Sequence, residues 1–445
     1  MLVFWTLTSI VLVFSVNGQF WDLRGDFCRT RKPQTCCPGR DDECTVPILD
    51  TLCYCDIFCN RTSGADCCPD FWPTCLGINP PGPIVTQQCF KDGRSYNVGE
   101  SIKINCNKCT CRQRSPTNYD FVCEQNVCLV RPELIESINH GNYGWKASNY
   151  SFLWGKTLEE GIQYRLGTFK PTVSTMAMNE VKIKMRKELP ENFDARQHWH
   201  NLIHPVRDQG DCGSSWAFST TSLASDRLAI QSRGSMNMAL SPQHLISCET
   251  RGQKGCDGGH LDRAWFYLKR HGVASEECYP YESGTSKENG RCAVRKPRGR
   301  HGHILCTNGQ EDMVHKSTPA YRIGPQEDLI RQEIFNYGPV QATFKVYNDF
   351  FLYKGGVYRH TNLSDGKPEA YRLHGWHSVR IIGWGIDRTG RRPVKYWLCD
   401  NSWGRLWGED GYFRIIRGED ECDIEMFIIG VWANTNSNNM NGIGH

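Results

Sequence analysis

The chain has 445 residues and 39% apolar content, enough for a sizeable core and for roughly two to four domains. Its formal net charge is only +4, which does not mark a nucleic-acid-binding protein, so basic runs matter locally rather than through the total. The 24 cysteines argue against a reducing compartment and for an exported chain with a disulfide framework.

The first residues, MLVFWTLTSIVLVFSVNGQ, form an apolar run ending in Ser15-Val16-Asn17-Gly18. This is the pattern of a secretory signal peptide, expected over residues 1–18 with cleavage after Gly18. The run falls short of the ~20 residues a membrane span needs, and no later segment reaches that length, so no membrane span is expected. Three Asn-x-Ser/Thr sequons, at Asn60, Asn149 and Asn362, are candidate glycosylation sites.

Ten cysteines lie between Cys28 and Cys75, six between Cys89 and Cys128, and eight between Cys212 and Cys422. The empty interval 129–211 separates two small disulfide-dense modules from a larger domain. Residues 24–77 contain CYCDIFC and DCCPD, and a piece this short depends on cross-links for stability. The same pairs could hold a metal, but oxidation in a secreted chain removes the thiolates, and no metal or cofactor is expected. The pattern resembles a somatomedin-B domain, which implies an adhesive extracellular module, although this chain has two cysteines beyond that family's usual eight and the pairing stays open. After the linker INPPGP, residues 86–130 read as short strands joined by turns. Their spacing resembles a von Willebrand factor C-like module.

Residues 133–188 carry no cysteine. Apolar residues at helical spacing, around Leu134-Ile135-Ile138 and Leu158-Ile162-Leu166, predict two helices. The stretch resembles the propeptide of cathepsin B, and LPENFDARQHW (Leu189–Trp199) resembles that family's mature start. Such helices are expected to cover part of a cleft.

The next motifs carry chemistry. Nucleophilic catalysis by cysteine needs a thiol at a helix N-terminus, a histidine to take its proton, a polar group to orient the histidine, and oxyanion donors. In RDQGDCGSSWAF, Gln209 stands where the oxyanion donor belongs, and Ser215 opens a predicted buried helix over Trp216–Leu228. His377, in HGWHSVRIIGWG, precedes a predicted strand through Val379, Ile381 and Ile382. Asn401, in DNSWGRLWGEDGYF, is the orienting amide, with Trp403 expected to shield the His–Asn hydrogen bond. Taken together, the order and separations resemble the papain-like peptidases over about residues 133–433, nearest to cathepsin B. GCDGGHLDRAW and CYPY strengthen the likeness. The implied fold class is α+β: a papain-like domain over residues 189–435, made of a helical domain plus a β-barrel-like domain, preceded by the small disulfide-rich modules and followed by a tail over 436–445. The resemblance implies bridges Cys212–Cys256, Cys248–Cys292 and Cys278–Cys306, and leaves Cys399 and Cys422 either paired or free.

Residue 215 is serine where that family has its cysteine. A serine hydroxyl is too weak an acid to form a resting ion pair with histidine. It would need a base to take its proton during attack, in a cleft built for the longer C–S bond. Gln209, His377 and Asn401 are therefore read as vestigial positions beside Ser215, and no useful peptidase activity is expected. The stretch ESGTSKENGRCAVRKPRGRHGHILC lacks the adjacent His-His pair and the extra internal disulfide of the cathepsin B occluding loop. These features together resemble the tubulointerstitial nephritis antigen family: signal peptide, cysteine-rich modules, and a cathepsin B-like domain with serine at the nucleophile position. The resemblance implies a basement-membrane protein of cell adhesion that binds matrix proteins of the laminin, collagen and fibronectin class and integrins. The alternatives are a weakly active peptidase using Ser215, and a decoy that holds protease substrates or inhibitors.

One basic run stands apart. RKPRGRHGH has no acidic residue and too much Pro and Gly for a helix. Arg295, Lys296, Arg298 and Arg300 are candidates for contact with sulfated glycosaminoglycans, since guanidinium forks suit such oxyanions. A solvated surface loop is the plainer reading. His301 and His303 are too few ligands for a metal.

Overall fold

The computed structural model describes residues 23–60, 66–79, 87–115, 118–185, 188–294, 303–390 and 392–434. The expected signal peptide, the tail and the cations Arg295, Lys296, Arg298 and Arg300 lie outside the described residues. The rest forms two units: residues up to 98 with 111–120, and residues 99–110 with 121 onward. No described helix is long and apolar enough to cross a membrane.

In the first unit, ten cysteines pair as Cys28–Cys55, Cys36–Cys75, Cys37–Cys44, Cys53–Cys68 and Cys59–Cys67. Their sulfurs, with Ile48, Phe71 and Trp72, form most of the small core. The cross-links thus stand in for the apolar volume that so short a stretch lacks. The hairpin of Gln88–Lys91 with Arg94–Asn97 is tied by Cys89–Cys111.

The second unit begins with a hairpin of Ser101–Ile104 against residues 107–110, and with the bridges Cys106–Cys128 and Cys109–Cys123. Asn105 donates to the Val130 carbonyl at 2.8 Å and accepts from Gly155 N, in the propeptide-like stretch, at 3.3 Å. The helix Pro132–His140 starts with proline at its first turn and buries Leu134 and Ile138, four residues apart on one face. The helix Leu158–Arg165 is opened by a capping box: Glu160 N donates to Thr157 Oγ1 and Thr157 N donates to the Glu160 carboxylate.

The central element is the helix Ser215–Gln231, buried at 14 of its 17 positions. Its hydroxyls survive burial by back-bonding: Ser219, Thr220, Thr221 and Ser225 each donate to the carbonyl four residues earlier at 2.7–2.9 Å. On one side it meets a helical core with Leu245, Leu261, Trp265 and Leu268. Toward the other lies a nine-stranded sheet, in which Val340–Val346, Gly375–Asp387, Val394–Asp400 and Tyr412–Ile416 are consecutive antiparallel neighbours. Trp145–Ala147, from the propeptide-like stretch, pairs antiparallel with Tyr353–Tyr358 and becomes the last strand of that sheet.

One expectation shifts. His377 lies inside its strand rather than before it: the strand starts at Gly375, and His377 pairs with Phe344. Cys399 and Cys422, left open by the sequence, are unpaired, Cys399 buried in the strand Val394–Asp400 and Cys422 in a short turn of 3-10 helix.

Candidate functional site

Ser215 is the first residue of the central helix and is fully buried. A helix start is where the dipole favours an anion. Cys212–Cys256 braces the preceding loop, with Cys248–Cys292 and Cys278–Cys306 in the same half of the domain. Gln209 and Asn401 are also buried, and the structure brings all four site residues into one groove.

His377 Nε2 lies 2.7 Å from Asn401 Oδ1, which also accepts from Ser402 N. An amide oxygen only accepts, so Nε2 carries the proton and the lone pair sits on Nδ1. Nδ1 is buried with no hydrogen-bond partner among the described residues. The Trp403 ring lies 5.1 Å from the His377 ring and is itself buried, closing the pair off from water. Burial pushes the imidazole down to about 4, and the Asn401 hydrogen bond only partly offsets this. His377 is therefore neutral at physiological pH.

The groove is filled by the chain itself. The Leu166 carbonyl accepts from Ser215 N at 3.2 Å and from Gln209 Nε2 at 3.1 Å. Those are the backbone and side-chain donors that would stabilise an oxyanion. Gln209 Nε2 also donates to Cys212 O, while its oxygen accepts from Ser402 Oγ at 2.6 Å, so the amide is fixed at both ends. Ser215 Oγ is 2.8 Å from Thr168 Oγ1 and has no hydrogen bond to His377. The strand is held on both walls: Phe169 N donates to Gly259 O, Gly259 N to Gly167 O, and Thr168 N to Trp376 O. The Thr168–Gly259 bridge runs parallel. Gly167 has φ +110, and a Cβ there would stand 1.9 Å from the Gly213 carbonyl oxygen, so only glycine fits. Trp403 Nε1 donates to Arg165 O at 2.6 Å.

The plug is also clamped by charge. Arg165, 6% exposed, reaches Asp211 at 3.1 Å and Asp208 at 3.3 Å. Lys156 and Lys287 converge on the other Asp211 oxygen, at 2.6 and 3.2 Å. Burial alone would raise the Asp211 carboxyl, but Lys156, Arg165 and Lys287 together bring it below the usual carboxylate range.

The helix Leu158–Arg165 lies against the site through Ile162, Gln163 and Tyr164, and the extended stretch Leu166–Phe169 that follows it occupies the groove itself. Leu166, Thr168, Gly259 and Ser402 were missed as site residues. The signals available were Gly167, which interrupts a helical pattern, and the pair Gly258-Gly259, which admits a second backbone closely. Asn60, Asn149 and Asn362 are all exposed.

Comparison with known proteins agrees with this architecture. A family model described as papain family cysteine protease matches residues 189–431. Mouse tubulointerstitial nephritis antigen-like is 49% identical over 95% of this chain and 91% of its own length. Human tubulointerstitial nephritis antigen is 44% identical over 93% and 88%. Among solved structures, procathepsin B S9 from Trypanosoma congolense matches with TM-score 0.59 and 30% identity, covering 69% of this chain and 99% of that one. The chain belongs to the papain family of cysteine proteases, in its tubulointerstitial nephritis antigen group.

Proposed function

We propose that this chain is a secreted, non-catalytic glycoprotein of the extracellular matrix that acts in cell adhesion, with the papain scaffold retained as a structural body. One observation carries the non-catalytic half: Ser215 Oγ is engaged by Thr168 while the Leu166 carbonyl takes both oxyanion donors. A serine there needs a base, and its hydroxyl has no hydrogen bond to His377. A decoy role would require an empty groove, so the filled groove counts against it.

The matrix half is supported by the eleven bridges among the described residues, which suit an oxidising exterior, by the exposed sequons, and by the relatives' naming as nephritis antigens. Its partners are matrix proteins of the laminin, collagen and fibronectin class and integrins, with the run around Arg295, Lys296, Arg298 and Arg300 contacting sulfated glycosaminoglycans. Residues 133–188 stay attached, since nothing is gained by their removal.

A peptide-library assay on wild type, Ser215→Cys and His377→Ala tests the catalytic half. No wild-type turnover is expected; turnover abolished by His377→Ala would overturn the reading. Solid-phase binding to laminin, collagen and fibronectin tests the matrix half, which fails if none binds saturably. Mass spectrometry of secreted protein tests attachment, which fails if most molecules start near Leu189.

A further inference from the structure

The helix Leu261–Arg270 buries Leu261, Ala264, Trp265 and Leu268 against the helical core. Its other face is exposed at Arg263, Phe266, Lys269 and Arg270. At 3.6 residues per turn, Arg263, Phe266 and Arg270 fall within about 60° of one another and Lys269 about 60° further round, along roughly 10 Å of axis. Phe266 is 57% exposed in the middle of these cations.

Flanking loops extend the patch. Arg263 Nη1 donates to the Arg251 carbonyl at 2.9 Å, which lays its guanidinium over Gly252 and beside Arg251. Past the other end, Gly272 packs against Lys316, which is itself exposed. Some arginines elsewhere in this domain have carboxylate partners, as Arg207 does in Glu276 and Arg414 in Glu409. Arg251, Arg263, Lys269, Arg270 and Lys316 have no ion-pair partner among the described residues. Two carboxylates lie close. Glu249 is buried, and burial raises its pKa more than Arg251 and Arg263 lower it. Asp262 sits on the first turn, about 10 Å along the axis from Lys269. The face gathers five cations that lack a close ion-pair partner around one exposed ring, with Asp262 on the same side of the helix and Glu249 coupled to Arg251 and Arg263 as the nearby carboxylates.

We infer that the outer face of the helix Leu261–Arg270, with Arg251 and Lys316 at its ends, is a docking surface for a sulfated polysaccharide chain, built from residues other than the run at 295–303. A row of guanidinium forks suits repeated sulfates. An aromatic side chain presents flat contact area at low entropic cost. The disulfide content places the chain outside the cytosol, away from nucleic acids. One exposed phenylalanine is too little apolar surface for a helix to lie in a bilayer interface. The inference rests on the matrix-binding reading and adds a site and a ligand class to it.

The test is heparin affinity of the full secreted protein at pH 7.4, as a function of NaCl. One variant carries Arg263→Ser, Lys269→Ser and Arg270→Ser; a second carries Arg295→Ser, Lys296→Ser, Arg298→Ser and Arg300→Ser. The helix variant should elute at lower salt, with the log K against log salt slope reduced by about 2, at roughly 0.7 per lost contact on a flexible polyanion. Phe266→Ser should weaken binding without changing the slope. If the helix variant matches wild type while the second variant loses binding, the inference falls and the matrix reading stands. If wild type does not bind heparin at all, this inference and the polysaccharide part of the matrix reading both fail, and matrix-protein binding is judged separately. Helix-dependent capture by phosphatidylserine vesicles without heparin binding also overturns it. Should the triple variant fold poorly, Lys269→Glu, at an exposed position, must lower the elution salt or the inference fails.

Discussion

Gly167→Ala should open the groove. Alanine at φ +110 costs about 1–3 kcal/mol in backbone strain alone. The added Cβ would also sit 1.9 Å from Gly213 O and 2.1 Å from its carbonyl carbon, both backbone atoms that cannot swing aside. The strand must lift, which releases three hydrogen bonds to the groove walls, at Gly167 O, Thr168 N and Phe169 N. At about 0.5–1.5 kcal/mol net for each, the loss is about 1.5–4.5 kcal/mol. That corresponds to a roughly 10- to 1,600-fold larger local opening constant, at tenfold per 1.4 kcal/mol. Amide hydrogen exchange at Thr168 and Phe169 reads this directly, because exchange follows the open population when closing is fast. A second readout is alkylation of the thiol in Ser215→Cys, with and without Gly167→Ala; the double variant should label at least tenfold faster. Gly366→Ala is the control, since φ is +75 there but a Cβ meets nothing within 4 Å. Exchange at Thr168 and Phe169 that changes less than about threefold in Gly167→Ala, or equally in Gly366→Ala, would refute the account of the plug.

The plug should resist acid. The Asp211 carboxyl has its pKa lowered in the folded state, so its contribution is present above the unfolded value of about 3.9 and is lost only as pH falls through the lower folded value. Protection of residues 160–169 from exchange, corrected for intrinsic rates, should match at pH 7 and pH 4.5; a collapse at pH 4.5 would reject the clamp. Asp211→Asn should weaken that protection about three- to thirtyfold, because Lys156 and Arg165 lose a shared anion while both are largely out of water. Thiol counting should find two free cysteines after denaturation, and in the native state no labelling of Cys399, whose burial raises its thiol well above the ordinary value. Native alkylation of Cys399 would show the strand Val394–Asp400 to open far more readily than its burial implies.

Much of the site was legible because its residues lie in motifs with little positional freedom. Gln209 and Ser215 flank Cys212, which is bridged to Cys256, and Asn401 follows a strand whose neighbour carries His377. Residue types in that order therefore located the groove. The long helix and its burial were legible as well, from apolar and small residues at helical spacing over Trp216–Leu228, and Ser219, Thr220, Thr221 and Ser225 lie inside it. Their back-bonding to the helix makes those hydroxyls tolerable inside. The contents of the groove could not be read from pattern. Leu166-Gly167-Thr168-Phe169 looks like the frayed end of an apolar helix, and its strand conformation is fixed by tertiary contacts: two backbone partners at Gly259 and Trp376, more than 90 residues away.

The serine and the plug make sense of one another. In a thiol-based groove the helix dipole and a histidine cation would stabilise a thiolate, and that charge would compete with a neutral carbonyl for the donors around it. With a hydroxyl at residue 215 no resting anion forms, and a histidine held at about 4 supplies no cation. The donors Ser215 N and Gln209 Nε2 are then free for a permanent neutral acceptor, which Leu166 O provides, and the hydroxyl becomes one more hydrogen bond, to Thr168. A serine at residue 215 is thus compatible with the closed form. The strand Trp145–Ala147 and the clamp at Asp211 add further contacts that depend on the propeptide-like stretch staying in place. Removing residues 133–188 would uncover Tyr353–Tyr358 as a sheet edge and leave Asp211 without Lys156 and Arg165. On the proposed reading, in which the stretch stays attached, these contacts make it a structural part of the papain-like body.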